Sequence, residues 1–188
     1  GLALMVDMEG KVPHGKGRIV LDVAILDGNF VHGWMHGEGV KTLVYKSEDG
    51  LEKETYSGAF AYHSLNGKGQ LRIEAPNGDY EIQIGHFADD ELIGEVKVEF
   101  HYPSATETGT AYKKVIEGTC NNNEVGGFVK MITYYRNSAS VTEIGIFEKE
   151  RQGVWLAQSQ VEGKDVFVKL SYENGVKTEG YTQIDKTE

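Results

Sequence analysis

Three histidines in the first part of the chain come nearest, by type and spacing, to a metal-binding pattern. His32 and His36 are four residues apart, and His14 precedes the same Gly-x-Gly pattern that follows His36. Closely spaced imidazoles are common zinc ligands, but side chains four residues apart share a face on a helix, and these histidines lie in a turn-rich region. We therefore predict that His14 and His36 pack on or hydrogen-bond to a turn, with no metal ion and no other cofactor bound.

Acidic and thiol side chains offer a second set of candidates for chemistry. Asp89, Asp90 and Glu91 could serve as paired carboxylates in acid–base catalysis, but their segment predicts a hairpin turn, where solvated acids are ordinary. Cys120 takes an aromatic position of the repeat described below, which predicts a buried thiol rather than a nucleophile. Nucleophile-elbow, phosphate-loop and dinucleotide-binding motifs are also missing from the sequence. We predict a chain without catalytic residues.

Composition and charge narrow the classes of partner. The chain has 188 residues and a formal net charge of −10, which opposes binding to nucleic acid and to anionic phospholipid. Its single cysteine excludes an internal disulfide and suits a reducing compartment. The sequence has no apolar run of the ~20 residues that cross a bilayer, and its opening apolar stretch is shorter than we expect of a signal peptide and lacks a basic flank. These features predict a cytoplasmic or nuclear protein whose partner is a protein or peptide, with a basic one favoured by the acidic charge.

A repeat runs through the chain and determines the predicted architecture. A glycine is followed two residues later by an aromatic or similar residue and nine residues later by a second glycine, and this offset occurs four times. Glycine is abundant, at 24 residues against 3 prolines, which predicts many turns. The repeat glycines, which we interpret as structural, are Gly28, Gly37, Gly39, Gly58, Gly67, Gly69, Gly85, Gly94, Gly118 and Gly127.

The segments between these glycines alternate between apolar and polar residues. In the stretch 95–102, Val96 and Val98 alternate with Lys97 and Glu99, which predicts a strand with one buried face and one wet face. The connecting segments 48–50, 76–79 and 173–175 contain Asn-Gly or Asp-Gly pairs, which are typical of hairpin turns. The sequence predicts an all-β, elongated, single-layer antiparallel sheet of about a dozen short strands arranged as stacked β-hairpins.

The repeat resembles the MORN (membrane occupation and recognition nexus) repeat. Its best copy runs from Gly28 to Gly39 and keeps the characteristic aromatic residue and the His-Gly-x-Gly ending, although Leu26 stands where tyrosine is usual. The resemblance implies an open solenoid of hairpins in which a glycine faces an aromatic residue of the neighbouring strand. We predict a single repeat domain over residues 1–188, with the best repeats at 13–69, degenerate repeats at 79–160 and terminal capping strands at 161–188.

The aromatic residues of the repeats are the candidate working surface. They can form the core of a thin sheet or line a groove that receives a partner segment. We predict a non-catalytic protein-interaction scaffold that binds a partner on its curved sheet through these side chains. Because the irregular spacing is similar to the repeats that precede SET-type histone lysine methyltransferase domains, one alternative is an accessory, substrate-positioning domain of a larger enzyme. Another is a closed barrel that holds a small apolar ligand. The residues predicted to bind a partner are Phe30, Trp34, Phe60, Tyr62, Tyr80 and Phe87.

Overall fold

The computed structural model describes residues 3–121, 123–178 and 182–184, and the described residues form strands and turns without a helix. Successive strands are joined mostly by tight turns, and the predicted turn segments 48–50, 76–79 and 173–175 each lie at a connection between two strands. The strands are β1 Ala3–Glu9, β2 Val12–Val20, β3 Ala24–Val31, β4 Trp34–Ser47, β5 Gly50–Ala61, β6 Ser64–Glu74, β7 Tyr80–Ala88, β8 Glu91–His101, β9 Ala111–Asn121, β10 Glu124–Tyr135, β11 Val141–Glu148, β12 Glu150–Val161, β13 Lys164–Glu173, β14 Val176–Lys177 and β15 Thr182–Ile184.

The strands form one open antiparallel sheet in which chain order and spatial order coincide from β1 to β14. The short strand β15 pairs with β13 beside β14. This arrangement confirms the predicted all-β sheet of successive hairpins, whereas the alternative of a closed barrel is wrong because β1 and β14 end the strand order. The predicted capping segment 161–188 contains β13 to β15, and its residues 179–181 and 185–188 lie outside the described part of the chain.

The chain divides into two compact units, unit 1 from Gly1 to Ile93 and unit 2 from Gly94 to Glu188. In unit 1 the buried core is a row of aromatic and aliphatic side chains contributed by successive hairpins, with Phe30, Met35, Phe60, Leu65 and Phe87 each no more than 3% exposed. In unit 2 a core cluster forms around Val129, Trp155 and Leu170. Each core is therefore built between neighbouring repeats, as the repeat pattern predicts.

A glycine of one repeat lies directly across from the aromatic position of the next, and this pairing recurs along the sheet. Six glycines take part, and all have φ between 64° and 115°, a left-handed conformation that glycine adopts without strain. The resemblance predicts this glycine–aromatic pairing, and the register confirms it. The pairs are Gly15 with Phe30, Gly37 with Phe60, Gly67 with Phe87, Gly94 with Cys120, Gly127 with Phe147 and Gly153 with Tyr172.

A second set of glycines forms a continuous row across β2 to β7. Each is the register partner of the next, so the row presents no side chain on the sheet. Met35 fills the resulting space, because a Cβ on Gly39 would overlap Met35 Cε, and Leu65 does the same beside Gly69 at 3.0 Å. These glycines are required for close packing, and Gly58 alone among them also has a positive φ, of 139°. The row is Gly17, Gly28, Gly39, Gly58, Gly69 and Gly85.

Candidate functional site

The six aromatic residues predicted to bind a partner divide into two groups in the structure. Phe30, Phe60 and Phe87 are between 1% and 3% exposed and belong to the core of unit 1. Burial removes these three rings from any surface that a partner could contact, so their assignment as partner-binding residues is corrected to a core role. The physical reason is the glycine across from each ring, which leaves room for the ring to lie between two hairpins.

Trp34 and Tyr62 are the exposed members, at 49% and 70% of their surface. Trp34 begins β4, and Tyr62 lies in the β5–β6 turn with φ of 52°. Their rings meet edge to face with centroids 6.0 Å apart, and the rings of His63 and His36 lie 5.1 Å from Trp34 and 6.1 Å from Tyr62 respectively. We call these four residues the aromatic cluster. It places two large exposed rings side by side on adjacent hairpin ends.

His63 holds the two hairpin ends of the aromatic cluster together. The Met35 backbone N–H donates to His63 Nδ1 at 3.0 Å, and the His63 backbone N–H donates to the Met35 carbonyl at 3.1 Å. Burial, with a smaller contribution from the nearby Lys41 ammonium, lowers the pKa of His63 below its usual value of 6.5. A neutral ring is needed for Nδ1 to accept the Met35 proton, and the lowered pKa favours that form.

Beside the cluster lies a cation that sequence reasoning did not single out. Lys41 Nζ lies 4.4 Å from the centroid of the Tyr56 ring, donates to the His63 carbonyl at 3.1 Å and pairs with Asp90 at 3.4 Å. Burial and the neighbouring Glu54 carboxylate raise the pKa of Tyr56 well above its ordinary value, so this ring keeps its proton. Lys41 and its partners thus form a fixed polar support under the cluster.

Tyr80, the sixth predicted partner-binding residue, is half-buried and lies away from the aromatic cluster in strand order. The Arg72 guanidinium stacks 3.6 Å from the centroid of its ring, and Arg72 also donates to Glu74 at 2.9 Å. The ring is therefore already covered on one face by a cation. Tyr80 is a weaker candidate for partner binding than Trp34 or Tyr62.

The acidic charge of the chain is concentrated in unit 1. Its sequence contains 15 acidic and 8 basic residues, a net charge of −7, against 14 acidic and 11 basic residues, or −3, in unit 2. Glu38 is exposed two residues from His36, on the strand that carries Trp34. The exposed aromatic rings thus lie in the more acidic half of the chain.

The acidic residues considered for catalysis have structural contacts in the turn between β7 and β8. Asp90 Oδ1 accepts the Leu65 backbone N–H at 2.6 Å, which repeats the role that His63 has toward Met35, and Asp89 accepts from the Asn66 amide at 3.2 Å. Both acids have positive φ, as the predicted turn requires. Their oxygens are engaged in joining hairpins, which supports the turn interpretation over acid–base chemistry.

The predicted burial of Cys120 is confirmed, because the residue is 3% exposed and lies across from Gly94. Burial raises the pKa of its thiol above the ordinary value. A raised pKa leaves little thiolate near neutral pH, which is the opposite of what a nucleophile needs. Cys120 therefore fills an aromatic position of the repeat with a small apolar side chain.

The histidines do not group as their sequence spacing suggested. His36 packs on Tyr62 in the next turn, and His14 Nδ1 lies 3.5 Å from the backbone nitrogen of His32 in the β3–β4 turn, so both rings contact a turn as predicted. The pair that meets is His14 and His32, with ring centroids 5.4 Å apart. Glu9 joins them, with Oε2 at 3.0 Å from His14 Nδ1 and 3.2 Å from His32 Nδ1. Glu9 was not identified from the sequence.

Among the described residues of unit 2, two acidic side chains are buried and each is held by an ion pair. Glu99 accepts from Lys97 at 2.6 Å, Lys113 at 2.8 Å and His101 at 3.0 Å, and the hydrogen bonds from Lys113 and Lys97 lower its pKa to about 2. Its burial contradicts the predicted alternation, in which Glu99 lay on the wet face of the strand. In the second case Arg151 donates to Glu143 at 2.6 Å.

Glu143 and Arg151 belong to the wall of a cavity in unit 2, an open concavity of about 810 Å³. Its lining is largely apolar, with Val141, Val166, Val168 and Leu170 among the contributing side chains. The Arg151 guanidinium is fixed, because it also donates to the Tyr172 hydroxyl at 2.7 Å and lies 5.1 Å from the Trp155 ring. An apolar wall with a few oriented polar groups is the usual character of a ligand pocket.

Comparison with known proteins found no matching family model and no similar curated protein. Within the described residues there is also no helix that could cross a membrane.

Proposed function

We propose that the chain is a divergent MORN-type repeat protein that acts as a non-catalytic interaction module, and that unit 1 binds a basic segment of a partner protein on the aromatic cluster. The observation that carries this proposal is the pair Trp34 and Tyr62, two large rings held 6.0 Å apart and exposed at 49% and 70%. Exposed tryptophan and tyrosine side chains are the types most enriched at binding hot spots. The glycine–aromatic register supports the family resemblance.

The chemistry of the cluster favours lysine or arginine side chains as the group that it binds. Aromatic faces attract ammonium and guanidinium cations, most strongly on tryptophan. The net charge of −7 in unit 1 adds a field of the matching sign. A basic partner segment would therefore gain from ring contact and from charge together, and its binding should weaken as salt rises.

The support of the cluster is rigid, which favours binding over rearrangement. Main-chain and side-chain hydrogen bonds between Met35 and His63 join the two hairpin ends, and Lys41 ties the same region to Asp90. Rings that are positioned before binding lose less conformational entropy when a partner arrives. A cytoplasmic or nuclear location is part of the proposal, because the single cysteine suits a reducing compartment.

Peptide binding measured by tryptophan fluorescence tests this function. Trp34 is exposed and Trp155, the second tryptophan, is fully buried, so a change in emission on adding peptide reports on Trp34. A lysine- and arginine-rich peptide should bind and a length-matched neutral peptide should not. Replacing Tyr62 by alanine should weaken binding by at least about tenfold, the scale of a hot-spot residue.

The matched control is Phe128→Ala, which removes an exposed aromatic side chain, 67% exposed, from unit 2. This variant should bind the basic peptide as the unchanged protein does. Equal affinity for the basic and neutral peptides, or an unchanged affinity in the folded Tyr62→Ala variant, would rule out the aromatic cluster as the binding surface.

The cavity of unit 2 supports a second function, the binding of a small apolar molecule. Its volume of about 810 Å³ lies within the range of ligand pockets, and Arg151 offers one fixed cation at its wall. Native mass spectrometry of the protein purified without detergent would show a retained ligand as added mass. Retained mass that disappears in a Val168→Trp variant, which fills the cavity, would support this function, and a bare protein mass that incubation with fatty acids does not change would exclude it for that ligand class.

A further inference from the structure

We infer that Glu9, His14 and His32 form a binding site for a divalent transition-metal ion, with zinc as the reference ion. The three residues come from three successive parts of unit 1: Glu9 ends β1, His14 lies in β2, and His32 lies in the β3–β4 turn. One ligand atom from each residue lies within 4.8 Å of the other two. Two imidazoles and a carboxylate are a common three-ligand set for zinc. This inference does not depend on the proposed function, and it replaces the sequence-based prediction that these histidines bind no metal ion.

The distances match those between ligands of one metal ion. With metal–ligand bonds of about 2.1 Å in a tetrahedral site, two ligand atoms lie roughly 3.4 Å apart. Glu9 Oε2 lies 3.0 Å from His14 Nδ1 and 3.2 Å from His32 Nδ1. Both imidazoles therefore direct the same ring nitrogen to one carboxylate oxygen. The ligand atoms of His14 and His32 lie within 4.8 Å of each other, which leaves room for one ion between the three side chains.

The backbone fixes the two histidines before any ion binds. The Gly33 backbone N–H donates to the Pro13 carbonyl at 2.8 Å, so the turn that carries His32 is held against the strand that carries His14. Glu9 is placed by its register with Val12 across the β1–β2 turn. All three side chains are at least 42% exposed, which leaves further coordination positions open to water. Such a site can exchange its ion with the solvent.

The ligand types select the class of metal. Imidazole nitrogen suits zinc, copper and nickel, whereas calcium and magnesium prefer oxygen-only sites. We expect zinc to bind at one equivalent per chain, and calcium and magnesium not to compete with it.

Isothermal titration of the untagged, metal-free protein with Zn²⁺ near neutral pH tests the site. The His14→Ala and His32→Ala variants should each bind zinc at least about tenfold more weakly, since loss of even an outer-shell partner costs 10–100-fold in affinity. The control is His86→Ala, which removes another exposed histidine in β7 and should leave the affinity unchanged. Glu9→Gln should also weaken binding, because the amide carries no charge.

A residue-resolved measurement keeps the test valid if a variant does not fold. In the unchanged protein, addition of Zn²⁺ should shift the ring-proton NMR signals of His14 and His32 and leave that of His86 in place. Absence of zinc uptake by the unchanged protein would overturn the inference. So would wild-type affinity in folded His14→Ala and His32→Ala variants, or equal shifts at all three histidines.

Discussion

Met35 and His63 are joined by two hydrogen bonds, one from each backbone N–H, so that residues 28 positions apart fix two neighbouring hairpins. Leu65 and Asp90 form the same pair in the next repeat, where a carboxylate replaces the imidazole. In both cases a side chain from a turn accepts the backbone proton of a buried residue in the preceding repeat. Each contact joins a turn to the neighbouring hairpin. The contact made by His63 also depends on the protonation state of its imidazole, because Nδ1 must be unprotonated to accept.

The stability of the protein should fall as the pH falls below about 6.5 through the His63 contact. The folded pKa of His63 is lowered while its unfolded pKa is near 6.5, so the unfolded chain binds the extra proton first. Its contribution is therefore complete above pH 6.5 and is lost as the pH falls through the lowered folded value. Urea unfolding at a series of pH values measures this loss as a falling midpoint.

The His63→Asn variant isolates that contribution. Asparagine offers an acceptor that does not titrate and tolerates the φ of 71° at this position, so its unfolding midpoint should vary less with pH than that of the unchanged protein. The control, His86→Asn, should keep the original pH dependence. If His63→Asn and the unchanged protein lose the same stability between pH 6.5 and pH 5, the histidine contact has no part in it.

Gly145 and Trp155 should show strong energetic coupling. A Cβ on Gly145 would overlap the Trp155 ring, and Trp155 is fully buried. Gly145→Ala should therefore destabilise the fold by about 1–3 kcal/mol through overpacking, and Trp155→Ala by about 3–5 kcal/mol. In a Trp155→Leu background the added methyl group has space, so Gly145→Ala should cost much less there. Denaturant unfolding of the four proteins in this double-mutant cycle gives the coupling, and additive costs would contradict the predicted overlap.

Glu99 should stabilise unit 2 far more than an exposed ion pair does. Hydrogen bonds to charged groups contribute about 1.5–3 kcal/mol, and Glu99 accepts three of them at a side-chain exposure of 12%. We expect Glu99→Gln to cost about 1–3 kcal/mol of unfolding free energy near pH 7. Glu117→Gln breaks an exposed pair with Lys130 and should cost less than about 1 kcal/mol.

The pH dependence gives a second measure of Glu99. Its pKa is lowered from 4.5 to about 2 in the folded protein, so its contribution is complete above pH 4.5 and is lost as the pH falls toward 2. Glu99→Gln should flatten the loss of stability across that window. If the unfolding free energy of Glu99→Gln falls as steeply between pH 4.5 and pH 2 as that of the unchanged protein, the acid sensitivity belongs to other carboxylates.

The glycine pattern allowed much of the fold to be predicted, because the required features are local. A glycine such as Gly37 must supply a φ of 76°, and the aromatic residue that follows in the next repeat, Phe60, occupies the space across from it. Both requirements leave a fixed residue type at a fixed spacing. The same logic placed Cys120 correctly in a buried position.

Contacts between distant strands could not be predicted in the same way. Alternation placed Glu99 on the wet face, but the side chain is buried and its charge is neutralised by Lys113 on the neighbouring strand. Which residue of β9 lies beside Glu99 depends on the register between β8 and β9, and the sequence pattern of one strand does not specify that register. Glu9 meets His14 and His32 only because β1 pairs with β2, and the segment before the first repeat glycine shows no repeat pattern. Phe60 and Tyr62 are two positions apart, so alternation assigns both rings to one face and could not show that Tyr62 lies in the turn and is exposed while Phe60 is buried.

Cys120 provides a direct measure of how firmly the repeats pack. It is the only cysteine, it is buried, and burial raises the pKa of its thiol. Because the thiolate is the form that attacks a disulfide reagent, we expect 5,5′-dithiobis(2-nitrobenzoic acid) to react slowly with the native protein and rapidly after unfolding in urea.

The reaction of Cys120 in the native protein should accelerate in the Gly94→Val variant, since a branched side chain strains the φ of 71° at the position directly across from Cys120. Gly109→Val, a positive-φ glycine in the β8–β9 loop, is the matched control and should leave the labelling rate near that of the unchanged protein. Immediate, stoichiometric labelling of the native protein would show that this repeat position opens freely, contrary to the packing described above.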